Sequence, residues 1–258
     1  MTTVFGISSH FWSVDSLWTP KGWGKAVDDT LSRKYIQFDG EISFFAGDEL
    51  PILLEQAHIL EVVSEEDYIA ITARLSESGE EMVYLAVAEH DGSIIETDGA
   101  FYNLRNSAFV HLGTGGKHAC DFFHYFGCRK KKLSQKGCNI VGSIQYAAHK
   151  DPSSGGAVTR KVWRANQLYG HSTVGYDVLA LDDQYIAYLR MRTEQMLNTI
   201  KGGDMTLATE RAASNGVLAS TLRAGHSENS DMRKVTVSAA VARSARRKAR
   251  KAALGQQE

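Results

Sequence analysis

The chain has 258 residues, 43% hydrophobic and 23% charged, with a formal net charge of -1. That is enough to bury a full core, and it provides no overall pull toward nucleic acid or an acidic membrane surface. No run approaches the roughly 20 apolar residues of a membrane span, the first residues lack the charged-then-apolar pattern of a secretory signal, and three cysteines argue against a disulfide framework and for a reduced, cytoplasmic setting.

Thr2 to Ile7 predicts a strand, and His10 to Thr19 a second one carrying Trp12 and Trp18. A loop over Gly22 to Asp29 leads to a short strand over Arg33 to Phe38. Ile42 to Ala46 is a nearly continuous apolar run, the pattern of a strand covered on both faces. Asp48 then stands where a helix N-cap would, ahead of LPILLEQAHIL, with Pro51 early enough to be tolerated in the first turn. Ser64-Glu65-Glu66-Asp67 predicts a second helix start, running to about Leu75.

Met82 to Ala88, Ser93 to Glu96 and Ala108 to Leu112 predict strands separated by Asp-Gly and Ser/Asn turns. Helices are expected over Lys117 to about Gly127 and over Ser134 to Lys150, the latter with Ile140, Val141, Ile144, Ala147 and Ala148 on one face. Val158 to Trp163 and Thr173 to Leu181 are again strand-like, and Asp183 to about Ile200 has a long helical pattern. Blocks of strands and paired helices are not the regular alternation of a doubly wound sheet; they suit stacked sheets covered by helices. The expected division is a main α+β domain over 1–201 and a C-terminal extension over 202–258, helical in pieces and ending in a basic tail from Arg243 to Lys251.

The chemistry starts at Thr2. Met removal before a small residue would leave Thr2 with a free α-amine beside its own hydroxyl. That amine, with a pKa near ~8, is one of the recognised ways to activate a weak hydroxyl nucleophile. Four further pieces follow in order: Asp15 and Thr19 in SVDSLWT, Lys34 at the head of an apolar alternation, GTGG at 113–116, and DPSSGG at 151–156.

This ordered set resembles the proteasome β-subunit and HslV family of N-terminal nucleophile hydrolases, over about Thr2 to Gly156. The resemblance implies a four-layer αββα sandwich and acyl transfer to Thr2 followed by hydrolysis. Lys34 would be the cation beside the Thr2 hydroxyl, Asp15 the partner that holds it, and Asp151 and Ser154 the groups that tune the amine. Thr114 would stand for the family's serine in G-S-G-G. Thr19 would lend backbone groups to an extended peptide. The family's A-G-x-x-G segment falls on Ser43 to Gly47, which keeps Gly47 but puts Phe44 where the first glycine supplies an oxyanion donor; a backbone donor remains there, and the bulky ring would either shift it or fill the first substrate pocket. Further implied are a polypeptide substrate, a homo-oligomeric ring fed by an ATPase unfoldase, and no cofactor. The competing readings are a catalytically inactive structural or assembly protein on the same scaffold and an amidase acting on a small amide.

Other signals point to bland roles. Cys120, His124 and Cys128 share one helical face, but structural zinc usually takes four ligands and no fourth is evident, so no metal is expected. GTGGK lacks the spacing of a phosphate loop. The basic tail carries no aromatic residues for base stacking, so nucleic acid is not expected, and the run reads as a solvated helix or disordered tail.

Overall fold

A computed structural model of the chain describes residues 3–18, 33–103, 106–128, 139–164, 183–201 and 233–254. Strands β1 (Val4–Ile7) and β2 (Phe11–Asp15) open the chain, followed by β3 (Tyr35–Phe38) and β4 (Glu41–Gly47). Helices α1 (Glu49–Ile59) and α2 (Glu65–Glu77) come next. Then come β5 (Met82–Ala88), β6 (Ile94–Asp98), β7 (Phe101–Asn103) and β8 (Asn106–Leu112). The remaining described elements are α3 (Gly116–Cys128), α4 (Asn139–Lys150), β9 (Val158–Val162), α5 (Asp183–Lys201) and α6 (Val237–Leu254).

The strands form two antiparallel sheets, one in the order β7-β8-β1-β2-β9 and one in the order β3-β4-β5-β6. Strand alternation divides their side chains between three cores. Val4, Trp12, Val14, Val110 and Leu112 of the first sheet meet Ile42, Phe44, Ala46, Val83, Leu85 and Val87 of the second. The opposite face of the first sheet, with Phe5, Phe11 and Phe109, packs on Ala119, Cys120 and Phe123 of α3 and Ile140, Ile144 and Ala147 of α4. The opposite face of the second, with Phe45, Met82, Tyr84 and Ala86, packs on α1, α2 and α5 through Ile52, Leu53, Tyr68, Ile71, Tyr185 and Leu189. Each fully buried aliphatic or aromatic side chain contributes about 1.5–3 kcal/mol relative to exposure. The architecture is mixed α/β, two antiparallel sheets with six helices among the described residues.

Several local signals act as expected and two do not. Ser64 caps α2, accepting the Asp67 N–H at 3.1 Å. Asp48 precedes α1 in extended conformation without capping it; its carboxylate instead accepts the Glu81 N–H at 2.9 Å and ties the start of α1 to the start of β5. The strand expected over His10 to Thr19 ends at Asp15, where the backbone turns to meet Gly155: the Leu17 N–H donates to the Gly155 carbonyl at 3.0 Å. β7 has no counterpart among the sequence expectations. The strand expected at Thr173 to Leu181 and the first residues of the helix expected from Ser134 lie outside the described residues.

The basic run is not a uniformly solvated face: Arg243 is buried, while Arg246, Lys248 and Lys251 stay half-exposed or more. Val235 and Ala240 join the core beneath α1, α2 and α5, and the backbone of Lys234 pairs with that of Glu81 in an isolated antiparallel β-bridge. From α6, Arg243 reaches Glu55 at 3.2 Å and Asp98 at 3.4 Å, and Arg247 reaches Glu55 at 3.1 Å. Arg250 pairs with Glu41 and Glu96, Arg246 with Glu96, Lys248 with Glu65, and Lys251 with Glu61. The solvated reading gives way because the carboxylates that neutralise α6 belong to α1, α2, β4 and β6 and the turn after α1, far away in sequence.

Candidate active site

The candidate residues gather at adjoining strand and helix ends. Asp15 closes β2, and Lys34 immediately precedes β3, its carbonyl accepting the Phe45 N–H at 2.8 Å. The Lys34 ammonium lies 2.9 Å from Asp15 Oδ1, both side chains fully withdrawn from solvent. It also donates to the Leu17 carbonyl and stands 5.1 Å from the centre of the Trp18 ring.

Asp15 holds more than the lysine. Its Oδ2 accepts the Gly155 N–H at 2.8 Å, its backbone N–H donates to the Thr3 carbonyl at 3.1 Å, and the Thr3 amide reaches its carboxylate as well. Burial pushes the Asp15 carboxyl above the usual carboxylate range, while the Lys34 ammonium and the two amides pull against that shift. A buried carboxylate with these three donors, one ammonium and two amides, is the arrangement that allows a buried cation to persist.

A second group touches the first. The chain leaves α4 at Lys150, and Asp151 folds over the helix end, with its N–H on the Ala147 carbonyl at 2.7 Å and its Oδ1 accepting the Ser153 N–H at 2.9 Å. That Asx turn presents Asp151 Oδ2 to two hydroxyls: Ser154 Oγ donates to it at 2.8 Å, and Thr114 Oγ1, from the turn between β8 and α3, donates to the same atom. Ser154 in turn accepts from the Thr3 hydroxyl at 2.7 Å. Asp15, Lys34, Thr114, Asp151 and Ser154 thus form one connected cluster around Thr3, the residue that follows Thr2 in the chain. Thr2 and Thr19 themselves lie outside the described residues.

Phe44 is placed otherwise than expected. It shares a strand face with Ile42 and Ala46, so its ring is buried between the sheets, 6.2 Å from the Trp12 ring and 6.5 Å from the Tyr35 ring. The expectation that it fills a substrate pocket is corrected accordingly. Because the Phe45 N–H faces β3, the Phe44 N–H on the alternate side faces β5, opposite Leu85. Gly47, two residues beyond Phe45, ends β4 with φ at 138° and lies past the point where β3 pairs. By alternation its N–H lies on the Lys34 side of the strand, and the position that the β3 register would bring opposite it falls outside the described residues.

Sequence reasoning missed Thr3 and Gly155. Thr3 is the second hydroxyl of the Thr-Thr pair, and its inward orientation follows from sharing a face with Phe5; Gly155 lies in the DPSSGG motif, which does not indicate that its amide meets Asp15. Among the described residues no group of three or more His, Cys, Asp or Glu side chains could hold a metal ion. No described helix is long and apolar enough to cross a membrane.

No protein-family model matches the chain, and no curated protein matches it. Among solved structures it is similar to Thiobacillus denitrificans BPH in complex with epoxomicin, at 15% identity and a TM-score of 0.39 over 63% of this chain and 97% of that one. It is also similar to eukaryotic HslV from Trypanosoma brucei, at 16% identity and a TM-score of 0.38 over 62% and 98% of the two chains.

Proposed function

We propose that the chain is a threonine peptidase of the proteasome β and HslV kind, built on a four-layer αββα sandwich, with Thr2 as nucleophile once Met1 is removed. The observation that carries this reading is the buried Asp15–Lys34 pair at 2.9 Å, joined through Asp15 to the backbone of Thr3. A lysine kept charged at a site with no solvent serves folding poorly, since hydrophobic replacements of buried pairs are often neutral or stabilising. It serves catalysis well, as a fixed positive charge beside a hydroxyl that must lose its proton.

In this mechanism the Thr2 hydroxyl oxygen attacks the scissile carbonyl carbon while its proton passes to the Thr2 α-amine. The Lys34 ammonium, held by Asp15 and the Leu17 carbonyl, is the positive charge we assign beside the Thr2 oxygen. The Gly47 N–H receives the developing oxyanion, in the place first sought at Phe44; one such donor is worth about 3 kcal/mol in the transition state. The protonated amine then gives its proton to the leaving amine, and water hydrolyses the Thr2 ester by the reverse transfers. Asp151, Ser154 and Thr114 surround the amine, and Thr19 aligns an extended polypeptide. The working form is a homo-oligomeric ring enclosing its sites in a soluble, cytoplasmic chamber, with an ATPase unfoldase supplying substrate.

The test is a comparison of the full chain with Thr2→Ala on fluorogenic peptides, after an intact mass has established whether Met1 is gone. Activity lost in Thr2→Ala supports the assignment. Equal activity in both, or an N-terminus that retains Met1 in an active protein, overturns it.

A further inference from the structure

The cluster contains one hydroxyl to which neither the motifs nor the mechanism assigns a part. Thr3 is fully buried, and its Oγ1 lies 2.7 Å from Ser154 Oγ, itself 2.8 Å from Asp151 Oδ2. The direction of this chain of hydrogen bonds follows from inventory. A carboxylate only accepts, so the single Ser154 hydrogen is committed to Asp151, and in the Thr3–Ser154 bond Thr3 must be the donor. The serine oxygen then has one lone pair occupied by Thr3 and one remaining.

We propose that Thr3 is a positioning residue for the N-terminal nucleophile: by donating to Ser154 it keeps that hydroxyl oriented on Asp151, so that Ser154 meets the neighbouring Thr2 amine purely as an acceptor. The inference rests on Thr2 being the nucleophile. Its consequence is chemical. An acceptor facing the amine engages an N–H and turns the nitrogen lone pair away, toward the proton the amine must take from the Thr2 hydroxyl. A freely rotating Ser154 could instead donate to that lone pair and occupy the base.

The surrounding backbone is built to permit this contact. A Cβ on Gly115 would stand 1.9 Å from Thr3 Oγ1 and 2.3 Å from Ser154 Oγ, so any side chain there displaces both hydroxyls. Gly115 therefore reads as a requirement of the Thr3–Ser154 bond, beyond its part in the turn after β8. The Thr3 backbone is fixed independently by its carbonyl's bond to the Asp15 N–H, so loss of the hydroxyl leaves strand register intact.

The experiment uses the full chain with Met1 removal verified by mass, and compares wild type, Thr2→Ala, Thr3→Val, Thr3→Ala and Thr3→Ser. Each is assayed on fluorogenic peptides and for covalent labelling by a β-lactone that reacts with N-terminal threonine, with thermal unfolding as the folding control. Thr3→Val, or Thr3→Ala should Val not fold, is expected to lower kcat and the labelling rate about tenfold, the equivalent of one ordinary hydrogen bond. KM is expected to stay within about twofold because Thr3 touches no substrate, and Thr3→Ser, which restores the donor, should recover most of the rate. Gly115→Ala is expected to reproduce the Thr3→Val profile. Wild-type kcat and labelling in folded Thr3→Val, with Thr2→Ala inactive, overturns the role of Thr3 and leaves the nucleophile assignment standing. A wild type that neither turns over nor labels, or a Thr2→Ala as active as wild type, overturns both.

Discussion

The Asp15 carboxylate grips the Lys34 ammonium at 2.9 Å with one oxygen and the Gly155 amide at 2.8 Å with the other, joining the ends of β2, the approach to β3 and the turn after α4 at a single buried point. Removing either charge strands the other. Asp15→Asn or Lys34→Met is expected to cost about 3–5 kcal/mol in denaturant unfolding, whereas the double substitution should recover much of that loss because a neutral pair carries no desolvation penalty. Activity should not follow stability: the double variant stays inactive if the ammonium is chemical. Recovery of both properties together would make the pair purely structural.

Phe44 separates packing from binding. Its ring fills the space between the sheets beside Trp12 and Tyr35, so Phe44→Ala should destabilise by about 3–5 kcal/mol through the cavity it leaves. At temperatures where the variant remains folded, KM for peptides should be unchanged. A large KM effect in a folded Phe44→Leu, where the volume loss is smaller, would place the ring back in a substrate pocket.

His111 gives the fold an acid sensitivity of defined sign. Burial depresses its pKa from 6.5 to about 4, with Asp121 pulling upward and Lys117 reinforcing the fall. The folded chain keeps this imidazole neutral over a range where the unfolded chain protonates it. Its contribution is therefore complete above about pH 6.5 and is lost as pH falls toward about 4, on the order of 3 kcal/mol. His111→Leu should flatten that stretch of the stability–pH curve relative to wild type in urea titrations. Parallel curves would show that His111 is protonated in the folded state as readily as in the unfolded one.

The α6 contacts should divide by burial. Arg243 and Glu55 are 4% and 1% exposed, while Arg246, Lys248 and Lys251 are half-exposed or more. Arg243→Met is expected to cost about 3–5 kcal/mol and to expose α6 to limited proteolysis, whereas Lys248→Met or Lys251→Met should cost under about 1 kcal/mol, an amount that disappears in high salt. Burial raises the Glu55 carboxyl, but Arg243, Arg247 and the Tyr68 hydroxyl outweigh it and hold the pKa below the ordinary range. Its contribution is thus present above about pH 4.5 and is lost as pH falls through the lowered value, so Arg243→Met should be less damaging at pH 3 than at pH 7.

Local chemistry made much of this molecule readable. The Ser64 cap, the apolar run of β5 and the double-faced burial of β4 all follow from neighbours within a few residues. β7 escaped because three residues are too few to display an alternation. At the candidate site, the motif residues Asp15, Lys34, Thr114, Asp151 and Ser154 are found in one cluster, but the orientation of Phe44 depended on which face of β4 meets the other sheet. The docking of α6 was invisible for a different reason. A run of arginines announces only its charge, and Glu41, Glu55, Glu96 and Asp98 each look like ordinary surface acids until the fold brings them opposite it.

The pairing of Arg243 with Glu55 spans 188 residues, and that distance has a consequence for how the protein is made. On the ribosome, α1 and α2 emerge long before any part of α6, and a nascent chain at that stage has the Tyr68 hydroxyl but no guanidinium to set against the Glu55 carboxylate. This side of the molecule is left for the end of synthesis, and a polypeptide released short of Arg243 would carry an uncompensated acid into the space between its first two helices.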